Sequence, residues 1–376
     1  MKDVLLEVLG VPPNILDSAR KLYDEFVKFV FTEVKHTNDS ETYYFAIKSD
    51  SKMKVGEYDI DTVNVELQII PLDVVKEIDF ISMGIKSQSK KPTKKKPYKG
   101  KIVTDVTNPR IDVKIVTPEK WDIEDLFNYI RKDKIKLTSS FSHELKHLYD
   151  DKKKKWEYLK PRTRYIAAQS TPRFRINPLD EFAHIIYYTH VVENLVRTTE
   201  ILSQLEDNKV SKREFLNFLL DNKTYQDLKQ YRSFSTEKLK EDIKENYIER
   251  VKEILDKVDI DYSQMSENEM VNEILTLWYV NFVNTDIEAF SDAISSNFLE
   301  KIMGFSGNKE KVLLQHISDV SKFKNRPLDF YKFEENKIKR VTGEMLKKIH
   351  KLYSLLPDNE NNDISKLHQK ITSKKI

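Results

Sequence analysis

The chain contains no cysteine, only 7 glycines in 376 residues, and no long apolar run. Without cysteine there are no disulfides, thiolate ligands or thiol nucleophiles, so any metal site must be built from histidine and carboxylate. So few glycines, against an average usage of about 7%, exclude glycine-rich phosphate loops and a turn-dense all-β fold. No segment reaches the roughly 18 consecutive apolar residues of a membrane span, and the apolar stretch near the start carries Asp3 and Glu7. Neither an anchor nor a signal peptide is expected. The expected compartment is therefore the cytoplasm, that of a host cell or a virion if the chain is viral, with no membrane partner. An excess of one charge is missing too. The 64 Lys+Arg and 61 Asp+Glu leave +3, which gives no global attraction to nucleic acid or anionic lipid.

Hydrophobic residues at 39% and aromatics at 11% can fill a packed core. After Pro12-Pro13, apolar residues from Ile15 to Val30 follow helical spacing, with Asn14 as N-cap. The period then changes to two. Val63, Val65, Leu67 and Ile69 alternate with polar residues, as do Ile111, Val113 and Ile115, which reads as half-buried strands. Further strands are expected at Tyr43–Ile47, Ile78–Met83 and Ile102–Val106, making a small mixed or antiparallel sheet. Lys86–Lys101 holds eight lysines with Pro92 and Pro97 and reads as a solvated hairpin insertion. Together with the basic tail 366–375 it lacks the aromatic interleaving of a nucleic-acid surface, so nucleic acid is not an expected partner.

Helices follow. Asp122 opens one to about Lys132, Thr138 to Ser142 cap another to about Lys155, and helical periodicity is sustained from Leu179 to about Glu206. Beyond Lys209 the chain reads helical throughout, including Thr236–Val258 and, after the capping box Ser266-x-x-Glu269, Glu267–Phe298. The expected class is α+β, in three stretches. Residues 1–135 form the first helix and the sheet, 136–208 the helices that carry chemistry, and 209–376 a helical region.

The chemistry lies in His143-Glu144-Leu145-Lys146-His147. Two histidines four apart project from one helix face one turn apart, so their imidazoles can converge on one zinc ion, and Glu144 is set to reach an activated water. Phe141, Leu145 and Leu148 form an apolar stripe that would half-bury this helix. His36, His316, His350 and His368 stand apart from other ligand types and read as surface residues.

With this H-E-x-x-H string and a sheet before it, residues 100–200 or so resemble the zincin metallopeptidases. The resemblance implies His143 and His147 as zinc ligands and Glu144 as general base. Metzincins continue with Gly and a third ligand, but Asp150 and Lys153 stand at those positions, so a gluzincin-type Glu from a later helix is expected. Glu181, Glu193 and Glu200 are the candidates. On a continuous helix Glu193 falls within about 20° of Phe182 and Ile186, and a carboxylate on such a core-facing stripe needs a metal or a partner. Glu193 is thus the expected third ligand and Glu181 the reserve. Glu193-Asn-Leu-Val-Arg197 also looks like the E-x-x-A-R motif of phage-type zincins, with Val196 departing from the small residue there. The alternative is a surface Glu193 paired with Arg197 at i+4.

The function expected is a zinc-dependent metallopeptidase acting on a peptide or protein substrate, with Ile111–Val116 as an exposed edge strand for an extended peptide. Tyr149, Tyr187, Tyr188, His184 and His190 are candidates to steady an oxyanion, none singled out. The alternative function is a non-catalytic interaction or structural protein with a zincin-like core, whose helical region binds a partner, with Trp278, Tyr279, Phe282 and Phe290 as core or groove.

Overall fold

The structure, a computed structural model, describes residues 10–12, 14–35, 42–55, 58–71, 81–87, 109–117, 121–154, 163–164, 166–168, 171, 174–295 and 307–357. The lysine-rich insertion beyond Ser87, the strand expected at Ile102–Val106, His36, His368 and the basic tail lie outside the described residues. The fold is α+β. Helix α1 (Ile15–Glu33) is followed by strands β1 (Thr42–Val55), β2 (Tyr58–Pro71), β3 (Ile81–Ser87) and β4 (Pro109–Thr117), then by helices to Lys351. Asn14 precedes α1 as expected. It adopts a left-handed conformation at φ 63° and makes no side-chain cap, so the helix starts without that bond.

The sheet is mixed, in the order β1-β2-β4-β3. β1 with β2 and β3 with β4 run antiparallel, and β2 with β4 runs parallel, Val65 opposite Ile111 and Leu67 opposite Val113. Strand β4 is therefore paired on both sides, which overturns its expected place as an edge. Among the described residues the edge strands of this sheet are β1 and β3. Alternation along a strand reports which face is buried and is the same for an edge and an interior strand, so it could not tell the two apart. The apolar face follows the pattern, with Val63, Leu67, Ile69, Ile111, Val113 and Ile115 fully buried and Lys114 exposed, but Asn64 and Glu66 of β2, expected on the open face, are buried as well.

Helix α1 packs on the sheet, where the Ser18 hydroxyl donates to the Lys54 carbonyl at 2.8 Å. It also packs on α2 (Ile123–Lys132) and α3 (Lys134–Lys154), with Phe26 and Phe141 edge to face at 5.8 Å. Asp122 and Asp125 close a reciprocal capping box that starts α2. Helix α3 begins at Lys134, earlier than expected. Thr138, Ser139 and Ser142 are buried within it, and Ser139 and Ser142 satisfy their hydroxyls on carbonyls three residues back rather than capping a terminus.

The single long helix expected from Leu179 is two: α4 (Asn177–Tyr188) and α5 (Val191–Asp207). Thr189 donates its hydroxyl and its backbone N–H to the Ile185 carbonyl, and the β-branched pair Val191-Val192 follows. Back-bonding and β-branching both weaken helix continuation, which ends α4 here. Next come α6 (Phe215–Asp221), α7 (Lys223–Arg232), α8 (Thr236–Asn246), α9 (Ile248–Lys257), α10 (Glu267–Ser295), α11 (Lys309–Val320) and α12 (Pro327–Lys351). The helix expected over Thr236–Val258 is thus divided at Tyr247, whereas the Ser266/Glu269 capping box at the start of α10 is present.

Among the described residues one connected apolar core runs from Val11 to Leu356, with a small satellite at Phe290 and Ile294. Trp278, Tyr279 and Phe282 lie inside it. Its centre is aromatic. Phe182 of α4, fully buried, meets Phe234 at 5.0 Å, Tyr331 of α12 at 5.2 Å and Trp278 of α10 at 5.3 Å. Because this one ring joins three helices, Phe182→Ala is expected to cost about 3–5 kcal/mol of stability, read as a lower urea midpoint. A loss under about 1 kcal/mol would mean that the site repacks.

Candidate metal centre

Helix α3 has two working faces. Phe141, Leu145 and Leu148 are buried toward the core, as their spacing predicts, while His143 and His147 face α5. The contacts between the helices fall in order: Ser139 with Gln204 at 3.2 Å, His143 with Glu200 at 3.4 Å, and His147 with Glu193 at 3.2 Å. Numbers rising on α3 pair with numbers falling on α5, so the helices run antiparallel. At about 100° per residue Glu193, Arg197, Glu200 and Gln204 share one stripe of α5. That stripe faces the histidines.

His143 Nε2 and His147 Nε2 are 3.1 Å apart, and the Glu193 carboxylate lies 3.5 Å from the first and 3.2 Å from the second. Ligand atoms held about 2.0–2.2 Å from a tetrahedral ion lie about 3.3–3.6 Å from each other. The two approaches use different carboxylate oxygens, Oε2 toward His143 and Oε1 toward His147; with one ligand atom taken from each residue, the three lie within 4.8 Å of one another, and two imidazoles with a carboxylate are a donor set zinc accepts. The structure thus brings together His143, His147 and Glu193, the three residues named as candidate ligands from the sequence.

Glu193 is 1% exposed. Burial alone would raise its pKa, but the charges of His143 and Arg197 and a hydrogen bond from His147 outweigh it and hold the carboxyl well below the usual range. The Arg197 pair considered as an alternative is present, Nη2 to Glu193 Oε2 at 2.8 Å, yet it is buried and accompanies the histidine contacts rather than replacing them. Arg197 also reaches Glu200 at 2.8 Å and lies over the Tyr188 ring at 4.2 Å. Burial would lower its pKa, and Glu200, Tyr188 and Glu193 keep it charged instead.

Glu200 is the residue that sequence reasoning named without giving it a role. Its Oε2 stands 3.4 Å from His143 Nδ1, its Oε1 accepts from the Thr224 hydroxyl at 3.3 Å, and Arg197 with His143 lowers its carboxyl to about 2 against the opposing effect of burial. A carboxylate on the far nitrogen of a ligating histidine fixes the tautomer and the ring orientation. The available signal was the i, i+4, i+7, i+11 recurrence of Glu193, Arg197, Glu200 and Gln204, four polar residues on one helical stripe.

Glu144 is 6% exposed, on α3 between the two histidines in sequence. Asp150, at the position where metzincins have glycine, is buried and paired with Lys146 at 2.5 Å. Glu181 is exposed on α4 and accepts from Gln230, away from the three donors. His190 sits at the break between α4 and α5. Burial, with the charges of Lys337 and Arg164, lowers its pKa well below the ordinary value and leaves the ring neutral. His184 is exposed among Tyr187, Tyr188 and Tyr231. His316, expected at the surface, is 2% exposed and lies 3.3 Å from Asp286; an isolated histidine gives no periodicity from which burial can be read.

No family model, curated protein or solved structure matches this chain. Among the described residues no helix is long and apolar enough to cross a membrane.

The geometry makes a metal stoichiometry measurable. Elemental analysis after zinc resupply and desalting should give about one zinc per chain for wild type and Glu181→Ala, and close to none for Glu193→Ala. Glu200→Gln should keep the site but weaken it by about 10–100-fold. Equal zinc in wild type and Glu193→Ala would remove Glu193 from the ligand set.

Proposed function

We propose that this chain is a zinc metallopeptidase in which His143, His147 and Glu193 hold the metal and Glu144 is the general base. The observation that carries the reading is the convergence of two Nε2 atoms and a buried carboxylate at 3.1–3.5 Å on facing helices. Zinc held by those three donors supplies a Lewis acid that polarises a peptide carbonyl and makes water acidic at neutral pH.

The chain's own groups divide the remaining work. Glu144 accepts the proton of the attacking water on its carboxylate and passes it to the leaving amine. Glu200 holds His143 through Nδ1, leaving Nε2 as the ligating nitrogen. Arg197 keeps Glu193 and Glu200 ionised, so neither carboxylate must lose a proton before metal is bound. An extended peptide would add to an edge of the sheet, and of the two edge strands β3 packs more extensively against α3 than β1 does.

Glu144→Gln is the deciding variant. It should retain about one zinc per chain while peptide hydrolysis on an unfolded protein substrate falls by about 10²–10⁴-fold. Wild-type activity in Glu144→Gln would dismiss Glu144 as the base, and zinc-loaded wild type that cleaves no peptide library would favour the non-catalytic interaction protein.

A further inference from the structure

Two hydrogen-bonded rungs cross α3, α5 and the start of α7. In the first, the Gln204 side chain donates to the Ser139 hydroxyl at 3.2 Å and accepts from Asn222 Nδ2 at 2.6 Å. In the second, Glu200 meets His143 Nδ1 through Oε2 at 3.4 Å and accepts from the Thr224 hydroxyl through Oε1 at 3.3 Å. Ser139 and His143 are one turn apart on α3, as are Gln204 and Glu200 on α5. The first rung joins the helices. The second ends on a histidine of the His143, His147 and Glu193 cluster.

Thr224 is available for this contact because of where it stands. A threonine hydroxyl on a helix is commonly spent on the carbonyl four residues back, as at Thr189, Thr276, Thr285 and Thr342. Thr224 is in the first turn of α7, and the residue four back, Leu220, belongs to α6. Its hydroxyl is directed at α5 instead. The turn that carries it is fixed on both sides: Asn222 Oδ1 caps the Tyr225 N–H at 3.0 Å while its Nδ2 holds Gln204, and the Tyr225 hydroxyl lies 3.0 Å from His350 Nε2 on α12.

Arg197 and His143 both contact Oε2 of Glu200, and among the described residues Thr224 alone holds Oε1. Contacts to one oxygen leave a carboxylate able to swing about it, and a contact to the other oxygen fixes its plane. An ionised carboxylate only accepts, so the His143 nitrogen facing it carries the hydrogen and Nε2 keeps its lone pair.

We infer that Thr224 is a positioning residue: its hydroxyl fixes the Glu200 carboxylate, which in turn holds His143 in the tautomer whose Nε2 is free to ligate. The use made of that tautomer rests on the zinc site proposed above, but the tautomer itself can be read without metal.

Nitrogen-15 NMR of the histidine rings in the metal-free full chain reads the tautomer, and competition with a chelator reads zinc affinity. Wild type should show His143 protonated at Nδ1. Thr224→Val keeps the shape and loses the hydroxyl; it should shift the His143 ring nitrogens toward a mixture of tautomers and weaken zinc binding by about tenfold. Thr224→Ser should restore both, and Thr224→Val on a Glu200→Gln background should change neither further. Folding is checked by circular dichroism, with Thr224→Ala in place of Thr224→Val if the latter does not fold. The assignment is overturned by a wild-type His143 protonated at Nε2, by unchanged His143 ring shifts in Thr224→Val, by an equal shift on the Glu200→Gln background, or by no recovery in Thr224→Ser. A wild type that holds no zinc yet loses the Nδ1-protonated ring in Thr224→Val would end the zinc reading and leave the role of Thr224 standing.

Discussion

The burial of the Glu193 carboxylate is the constraint around which this molecule is arranged. An ionised carboxylate at 1% exposure costs several kcal/mol unless charge and hydrogen bonds are brought to it. Helix α5 brings Arg197 one turn away, and α3 brings His143 and His147 across the interface. Glu200 then shares Arg197 and holds His143 from the other side. Glu193, Glu200 and Arg197 together carry one net negative charge, which a divalent cation between the histidines would more than offset. A polar seam of this kind resists slippage, since a shift of one turn would part Glu193 from His147 and Glu200 from His143.

That seam also explains why α3 needs two different faces. Phe141 and Leu145 anchor it against α1 and the sheet, and this packing, not the polar contacts, fixes the axis on which the histidines are displayed. The two imidazoles are therefore mounted on a packed element, the kind of support that positioned side chains require. Buried hydroxyls on both helices, Ser139, Ser142, Thr199 and Ser203, keep the side chains at this part of the structure small.

Much of this was readable from residue spacing. Periods of 3.6 and 2 located α1, β2 and β4, Asp122 marked the start of α2, and Ser266 with Glu269 that of α10. The H-E-x-x-H string located both imidazoles because spacing on one helix is a local property. Glu193 was reached by a helical wheel drawn through Leu179–Glu206, a helix that is interrupted at Thr189 and His190. The residue chosen is the one at the histidines, but the angle that selected it does not exist. Its own half of the wheel, from Val191 onward, contains the Glu193, Arg197, Glu200 stripe and would have been the sounder guide. Strand order, the interior position of β4 and the burial of His316 depend on contacts between distant segments, and no periodicity within a segment encodes them.

The break between α4 and α5 connects the His143, His147 and Glu193 cluster to the C-terminal helices. His190 occupies it, close enough to Glu193, Arg164 and Lys337 for each to act on its charge, and those last two are held by Glu334 of α12. Burial and the two cations keep the His190 ring neutral, so it fills the corner without adding a charge beside Glu193. Phe182, two turns earlier on α4, is locked against Trp278 and Tyr331 of α10 and α12. The direction in which α5 leaves that corner, and hence the aim of Glu193, is set by packing more than 80 residues further along the chain. A helical region larger than a substrate lobe needs therefore has a structural reason to be present: it braces the corner that turns one carboxylate toward two histidines.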